Sequence, residues 1–120
     1  MATEVCVQLP AATEAKVRTI AASERRSLAE TLTLLAEEAL KTREFPDIVF
    51  TNGPTGRRAT LLGGPDVWEV VEPYVLAGKD WQVLRDSYPD LDEALLRIAV
   101  RYYEAYPKEI EVRIERNNRP

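Results

Sequence analysis

The stretch TEVCVQLP, residues 3–10, decides the interpretation of the first part of this chain. Polar and apolar side chains alternate along it as far as Pro10, which is the period of a β-strand with one face turned to a core. Two helical patterns follow, and no second strand comes soon after. Because a lone strand leaves its backbone N–H and C=O groups unpaired, we expect its partner to come from elsewhere.

Two helices are predicted after this strand. Pro10 opens an alanine-rich pattern that ends in a polar turn at residues 23–26. The second helix begins at Ser27, because Ser27 and Glu30 have the spacing of a capping box. Its apolar stripe follows at spacings of three and four: Leu28, Leu32, Leu35, Ala36, Ala39 and Leu40. Residues 1–45 form the first predicted domain.

The second predicted domain, residues 46–120, begins with a β-hairpin. Two strand-like runs flank TNGPTG, residues 51–56, and the density of turn residues predicts a loop longer than two residues. Four helices are expected to follow, with prolines in first turns and aspartates as N-caps: Pro65, Asp80, Asp90 and Pro107. The predicted fold class is therefore mainly α with short β (α+β).

The first domain carries a family resemblance. Strand, proline, alanine-rich helix, polar turn and then RRSLAETLTLLAEEAL, residues 25–40, resemble the ribbon-helix-helix family of DNA-binding proteins over residues 3–44. The resemblance implies an intertwined homodimer, or a higher oligomer, in which two chains pair their strands into one antiparallel ribbon. A domain of roughly 45 residues is near the lower limit for folding alone, which favours the same arrangement.

The resemblance also implies which ribbon residues face the DNA. Alternation directs Val5, Val7 and Leu9 into the dimer core. A two-stranded ribbon fits the major groove, where outward side chains meet base edges. The outward side chains are those of Glu4, Cys6 and Gln8.

A phosphate contact is implied at the start of the second helix. The family position falls on Ser27, and a helix N-terminus binds anions through its free amides. Arg25 and Arg26 precede it and add positive charge. Two positions depart from the family pattern: Glu4 stands where a basic residue is usual, and Arg25 where glycine is usual. The alternative is a dimerisation module without DNA contacts.

The second domain resembles a different family over residues 45–115, the small bacterial family catalogued as domain of unknown function 433. The matching features are a hairpin with GPTGRRA, the DVWEVVE helix, the YPDLDEALLRIAVRYYEAYPKEIE tail and the spacing between them. The resemblance implies a helix-turn-helix-like fold, commonly encoded beside PIN-type nucleases and considered their antitoxin. Some members resemble VapB-type antitoxins.

A PIN-type nuclease gathers acidic residues around magnesium, so a basic or aromatic surface suits its inhibitor. The candidate toxin-binding residues are Arg57, Arg58, Trp68 and Trp81. The alternative is that the tryptophans belong to the core and the arginines to a solvated hairpin edge.

A second DNA-binding helix is a further alternative. Arg97 and Arg101 are four residues apart and share one face of the predicted helix. Acidic residues crowd the end of that helix that usually enters the groove: Asp90, Asp92 and Glu93. We therefore assign DNA to the ribbon and a protein partner to the second domain.

The totals narrow the function classes. The 120 residues have a net charge of −4, one cysteine (Cys6) and no histidine. No disulfide within the chain, signal peptide or membrane-spanning run is expected, so a cytoplasmic protein without a membrane partner is predicted. Without histidine, and without a phosphate-binding loop, we expect no enzymatic activity, no metal and no cofactor.

Together these features predict the antitoxin of a type II toxin–antitoxin system. Such a protein would be a dimeric DNA-binding autorepressor that binds operator DNA and neutralises a PIN-like ribonuclease toxin. One alternative is a stand-alone ribbon-helix-helix transcriptional regulator whose second domain binds another protein or a small ligand. The other is a dimerisation adaptor without DNA binding.

Overall fold

A computed structural model describes residues 1–54 and 56–119; Thr55 of the predicted hairpin loop and Pro120 of the tail lie outside the described residues. The chain is mainly helical with one antiparallel hairpin, which confirms the α+β class. It divides into two compact units, Met1–Leu40 and Lys41–Pro120, with the boundary inside the second helix. The elements are α1 (Ala11–Ser23), α2 (Leu28–Glu44), β1 (Ile48–Gly53), β2 (Gly56–Leu61), α3 (Val67–Leu76), α4 (Trp81–Ser87), α5 (Glu93–Ala105) and α6 (Pro107–Asn117).

The first unit contains α1 and most of α2, and these two helices make little contact with each other. Val17 and Ala21 are its buried apolar residues, together with the polar Thr31 and Glu38. The predicted apolar stripe of α2 is solvent-exposed toward its end, where Leu40 is 61% exposed. The helices therefore form as expected, while much of their apolar surface is left uncovered.

The hairpin pairs β1 and β2 from Ile48 opposite Leu61 to Gly53 opposite Gly56. The predicted loop of more than two residues is therefore wrong, because the strands continue through TNG and leave only positions 54 and 55 between them. The reason is local: Gly56 has φ +104°, a conformation that glycine adopts without strain and that lets the chain reverse sharply. Ile48 and Leu61 are fully buried and hold the hairpin to the core.

The second unit has one core, built from the hairpin and all four of its helices. Helix α3 packs against α4, α5, α6 and β2 and so lies at the centre. Burial and a hydrogen bond to Glu111 raise the pKa of Tyr103 to about 12. The core residues are Ile48, Ala59, Leu61, Val67, Val70, Val71, Tyr74, Leu84, Leu96, Ala99, Val100, Tyr102, Tyr103, Ile110 and Ile114.

A proline inside α3 is accommodated by a side chain from outside the helix. Pro73 has no N–H, so it cannot donate to the Glu69 carbonyl one turn earlier. The Tyr88 hydroxyl donates to that carbonyl oxygen at 2.8 Å. Burial, followed by the nearby carboxylates of Glu69 and Glu72, raises the pKa of Tyr88. The residue after α4 thus satisfies the backbone of α3.

The caps of α4 and α5 show one confirmed prediction and one that is wrong. Asp80 caps α4, accepting from the Gln82 amide at 2.9 Å. Helix α5 is capped by Asp92, whose carboxylate accepts from the Ala94 amide at 2.9 Å, and not by Asp90. A turn in which the Leu91 amide donates to the Tyr88 carbonyl holds Asp90 two residues before the cap.

Among the described residues, no helix is long and apolar enough to cross a bilayer.

Candidate functional site

The N-terminal segment that was predicted as a strand has no partner in its own chain. Across the described part of the chain, Thr3 to Leu9 form neither helix nor strand and make no backbone hydrogen bond. Val5 and Val7 are 75% and 72% exposed. The three predicted readout residues are also exposed: Glu4, Cys6 and Gln8. Both faces of the segment are therefore available, including the apolar one that its alternation would bury.

The turn between α1 and α2 has the conformation for which glycine is usual. Arg25 has φ +55°, in the left-handed region. The Arg26 amide donates to the Ala21 carbonyl at 2.9 Å, and the Glu24 amide donates to the Ile20 carbonyl. Both carbonyls belong to α1. These bonds close the end of α1 in the manner of a helix C-cap and show that arginine occupies the glycine position at some cost in strain.

The capping box at the start of α2 is confirmed. The Ser27 hydroxyl accepts from the Glu30 amide at 3.0 Å, and the Glu30 carboxylate accepts from the Ser27 amide at 3.1 Å. These bonds, with the Arg26 charge, lower the pKa of Glu30. Within the part of the chain that the structure describes, the amides of Leu28 and Ala29 donate to no protein acceptor. The helix start thus retains two free donors for an anion, and Glu30 occupies a third.

A buried carboxylate organises the face of the hairpin beside α3. Asp66 is 8% exposed and stands at the N-cap of α3, yet its side chain makes no cap hydrogen bond. It accepts instead from Arg58 Nε at 2.8 Å, from the Thr60 hydroxyl at 3.0 Å and from the Trp68 indole at 3.2 Å. Two of the predicted partner-binding residues therefore direct their polar groups into their own chain.

Sequence reasoning missed Asp66, although the alternation of β2 contained an indication. Arg58 and Thr60 are two apart on a strand and so share one face, and the next acidic residue is Asp66. The same contact explains Gly53, because a Cβ there would collide with the Arg58 guanidinium. The Arg58–Asp66 pair is thus a structural link between the hairpin and α3.

Arg57 and Trp68 come together with α6 at one end of the second unit. Arg113 Nη2 donates to the Arg57 carbonyl at 2.5 Å. Beside this contact is a pocket of about 250 Å³ lined by Trp68, Arg113, Arg116 and Asn117. The half-buried indole and two guanidinium groups line this basic pocket, in which Arg113 bonds to the Arg57 carbonyl and Asn117 donates to the Glu72 carboxylate.

Trp81 lies at a different place from the other three predicted residues. It lines a groove of about 500 Å³ that runs along α5, in which Tyr74 forms part of the floor. The Arg97 guanidinium lies over the Trp81 ring at 4.5 Å from its centroid, a cation–π arrangement. The predicted partner surface is therefore divided between the basic pocket and this groove.

Among the described residues, no three histidine, cysteine, aspartate or glutamate side chains are grouped so that they could hold a metal ion.

Comparisons of the chain with models of protein families, with curated proteins and with solved structures found no match.

Proposed function

We propose that this protein is the antitoxin of a type II toxin–antitoxin system, a homodimeric DNA-binding autorepressor whose second unit neutralises a PIN-like ribonuclease. The observation that carries the proposal is the state of residues 3–9. This segment keeps a strand-like alternation, exposes Val5 and Val7, and makes no backbone hydrogen bond among the described residues of its own chain. A second copy of the same segment satisfies both needs at once.

The packing of the first unit supports the dimer. Helices α1 and α2 make little contact with each other, and the apolar stripe of α2 ends in the exposed Leu40. Full burial of a valine side chain is worth roughly 1.5 kcal/mol or more, and a two-fold ribbon would bury Val5 and Val7 twice each. Intertwined helices beneath the ribbon would cover the remaining apolar surface.

The outward face of such a ribbon has side chains suited to base edges. Gln8 can pair with adenine through two hydrogen bonds, and Glu4 can accept from the amino group of cytosine. Cys6 supplies a small contact surface for a thymine methyl group. At the start of α2, the free amides of Leu28 and Ala29 would receive a phosphate oxygen, and Arg25 would add charge together with Arg26, which lies 3.6 Å from the Glu24 carboxylate.

The second unit supplies the toxin-binding half of the proposal. The basic pocket beside Trp68 and the arginine-lined groove at Trp81 both suit a partner rich in carboxylates. The Arg57 carbonyl accepts from Arg113, which lines the first of these. Arg58 supports the pocket indirectly, because its pairing with Asp66 also orients Trp68.

A dimerisation adaptor without DNA binding is the second candidate, and two observations favour it. Glu4 places a carboxylate on the outward face of the ribbon, where it would repel phosphates. Glu30 already occupies the Ser27 amide at the proposed phosphate site. An adaptor would dimerise as the antitoxin does and would not shift the mobility of the promoter duplex.

The DNA half of the proposal is tested by titrating the full chain with the duplex upstream of its own gene at several salt concentrations. Gln8→Ala is expected to reduce the preference for that duplex over a shuffled one. Arg26→Ala should weaken binding to both duplexes and lower the slope of log K against log salt by about one. Lys108 is exposed on α6, so Lys108→Ala is the control that removes one positive charge outside the proposed DNA contacts. A dimer that binds neither duplex would support the adaptor.

The toxin half is tested by co-expression with the product of the adjacent gene. We expect a stable complex on size exclusion and loss of RNA cleavage by the partner. A dimer that binds its promoter and leaves the adjacent product free would instead be a stand-alone regulator.

A further inference from the structure

The groove along α5 brings apolar, aromatic and basic side chains together on one surface of the second unit. Ala94, Ile98 and Arg101 follow one another at spacings of four and three residues, so they form one stripe of the helix. Trp81, at the start of α4, forms the opposite wall, with Arg97 stacked on its ring. The groove thus combines apolar side chains and an aromatic ring with two cations, Arg97 and Arg101, which are one helical turn apart on α5.

The charges of the groove are unequally compensated. Arg97 pairs with Glu93 at 2.8 Å, one turn earlier on the same exposed face, where such pairs contribute little stability. Arg101 is exposed and makes no ion pair or hydrogen bond with any residue that the structure describes. Glu104 is the acidic residue among those that line the groove. The groove therefore presents one guanidinium without a direct ion pair beside apolar surface, with two arginines against the one carboxylate of its lining.

We infer that this groove is the docking site for an acidic, apolar peptide segment of a partner protein. Apolar side chains of the segment would fill the floor at Ala94 and Ile98, and carboxylates would reach Arg101 and the exposed edge of Arg97. Arginine and tryptophan at the centre of a concave surface are the residue types that most often dominate protein–protein affinity. The inference rests on the proposed function for the claim that the second unit binds a protein.

The electrostatics of α5 favour a protein over DNA as the occupant. The helix begins beside three acidic residues, and a phosphate backbone lying along it would be repelled there. Those residues are Asp90, Asp92 and Glu93. A peptide segment can place apolar side chains beside these acidic residues and carboxylates only near Arg97 and Arg101, whereas a phosphate backbone carries a negative charge at every step.

The volume of the groove fits a short amphipathic segment. About 500 Å³ accommodates a few side chains, and a helix laid into a groove uses residues at spacings of three and four. The stripe on α5 has that spacing, so a helical segment would match it residue for residue. Such a segment has one apolar and one acidic face.

The test uses a short fluorescein-labelled peptide of leucine, phenylalanine and glutamate in helical spacing, and a twin peptide with lysine in place of glutamate. Fluorescence anisotropy on the full chain should show saturable binding of the acidic peptide and much weaker binding of the lysine twin. Arg101→Glu should weaken the acidic peptide by about tenfold or more. Lys108→Glu makes the same change of charge outside the groove and should alter binding by less than about twofold.

Equal binding of the two peptides, or an Arg101→Glu variant that binds as the unmodified chain does, would overturn the inference. A random DNA duplex is titrated in the same way. If the unmodified chain binds the duplex and not the acidic peptide, and Arg101→Glu loses the duplex, the occupant of the groove is DNA and the inference is wrong. If the peptide fails while the adjacent gene product is still neutralised, the groove is wrong and the proposed function stands. If the peptide binds and no toxin is neutralised, the groove stands and the toxin half of the proposed function is lost.

Discussion

The two units of this chain differ in whether they bury their own apolar residues. In Lys41–Pro120 the apolar positions of both strands and all four following helices converge on one core. In Met1–Leu40 the buried apolar residues are Val17 and Ala21, while Val5, Val7 and Leu40 are exposed. The second unit also exposes Leu62 and Leu76, yet only the second assembles a core of many buried apolar residues within the single chain.

The difference teaches that an amphipathic pattern specifies a buried face without specifying what covers it. The second unit supplies its own cover, because a hairpin and four short helices can surround α3. The first unit has two helices and a strand-like segment, and no other element of that unit remains to cover them. This is the physical basis for expecting a second copy of the chain at the first unit and none in the core of the second.

The largest expected effect is on dimer formation through the N-terminal segment. Val7→Asp places a carboxylate on the face that the ribbon would bury, and burying an unpaired charge is costly. We expect the dimer dissociation constant to rise by at least about 100-fold, measured by analytical ultracentrifugation. Gln8→Asp puts the same carboxylate on the outward face and should leave the dimer intact. A Val7→Asp variant that dimerises normally would mean that the segment is not the interface.

The next effect compares a leucine from each unit. Leu96 is fully buried, so Leu96→Ala should lower the free energy of unfolding by about 2–5 kcal/mol in urea titration. Leu40 is 61% exposed, and Leu40→Ala should change the free energy of unfolding by less than about 0.5 kcal/mol at low protein concentration. A cost at Leu40 that grows with concentration would show that the second copy covers this residue as well.

A smaller effect is expected where the proline of α3 meets Tyr88. Tyr88→Phe leaves the Glu69 carbonyl without its protein donor and should cost about 0.5–1.5 kcal/mol of unfolding free energy, the net value of one hydrogen bond at an exposed site. In a Pro73→Ala background the backbone amide at position 73 can donate to that carbonyl, so the same change should cost less. Equal costs in the two backgrounds, measured by a double-mutant cycle, would contradict the assigned role of the hydroxyl.

The smallest effect is expected at the turn of the first unit. Arg25→Gly relieves the left-handed conformation and should raise stability by up to about 1 kcal/mol, partly offset by the greater freedom of glycine in the unfolded chain. Arg26→Gly is the matched control, since Arg26 has no positive φ, and it should destabilise. Thermal unfolding of both variants measures the difference. A destabilised Arg25→Gly would show that the arginine side chain contributes more than the strain costs.

The elements were predictable where a short stretch contains its own cause. The Ser27–Glu30 capping box, the Asp80 cap and the pairing of the two hairpin strands are all contacts between residues close in sequence, and all are present, although the hairpin loop is shorter than predicted. The predicted Asp90 cap is wrong because Asp90 and Asp92 are chemically alike, and a backbone turn selects between them. The Asp66 cluster was missed because its partners come from β2 and α3, which meet only after folding.

The sequence alone determined the order and type of the helices and of the hairpin, since hydrophobic period, caps and turn residues act over a few neighbouring positions. It also determined that residues 3–9 have one apolar and one polar face. Only the tertiary structure decided which candidate side chains are committed inside the molecule, as Arg58 and Trp68 are to Asp66, and which remain available, as Arg101 is. The physical reason is that a side chain becomes available or committed through neighbours brought near by folding, and those neighbours are distant along the chain.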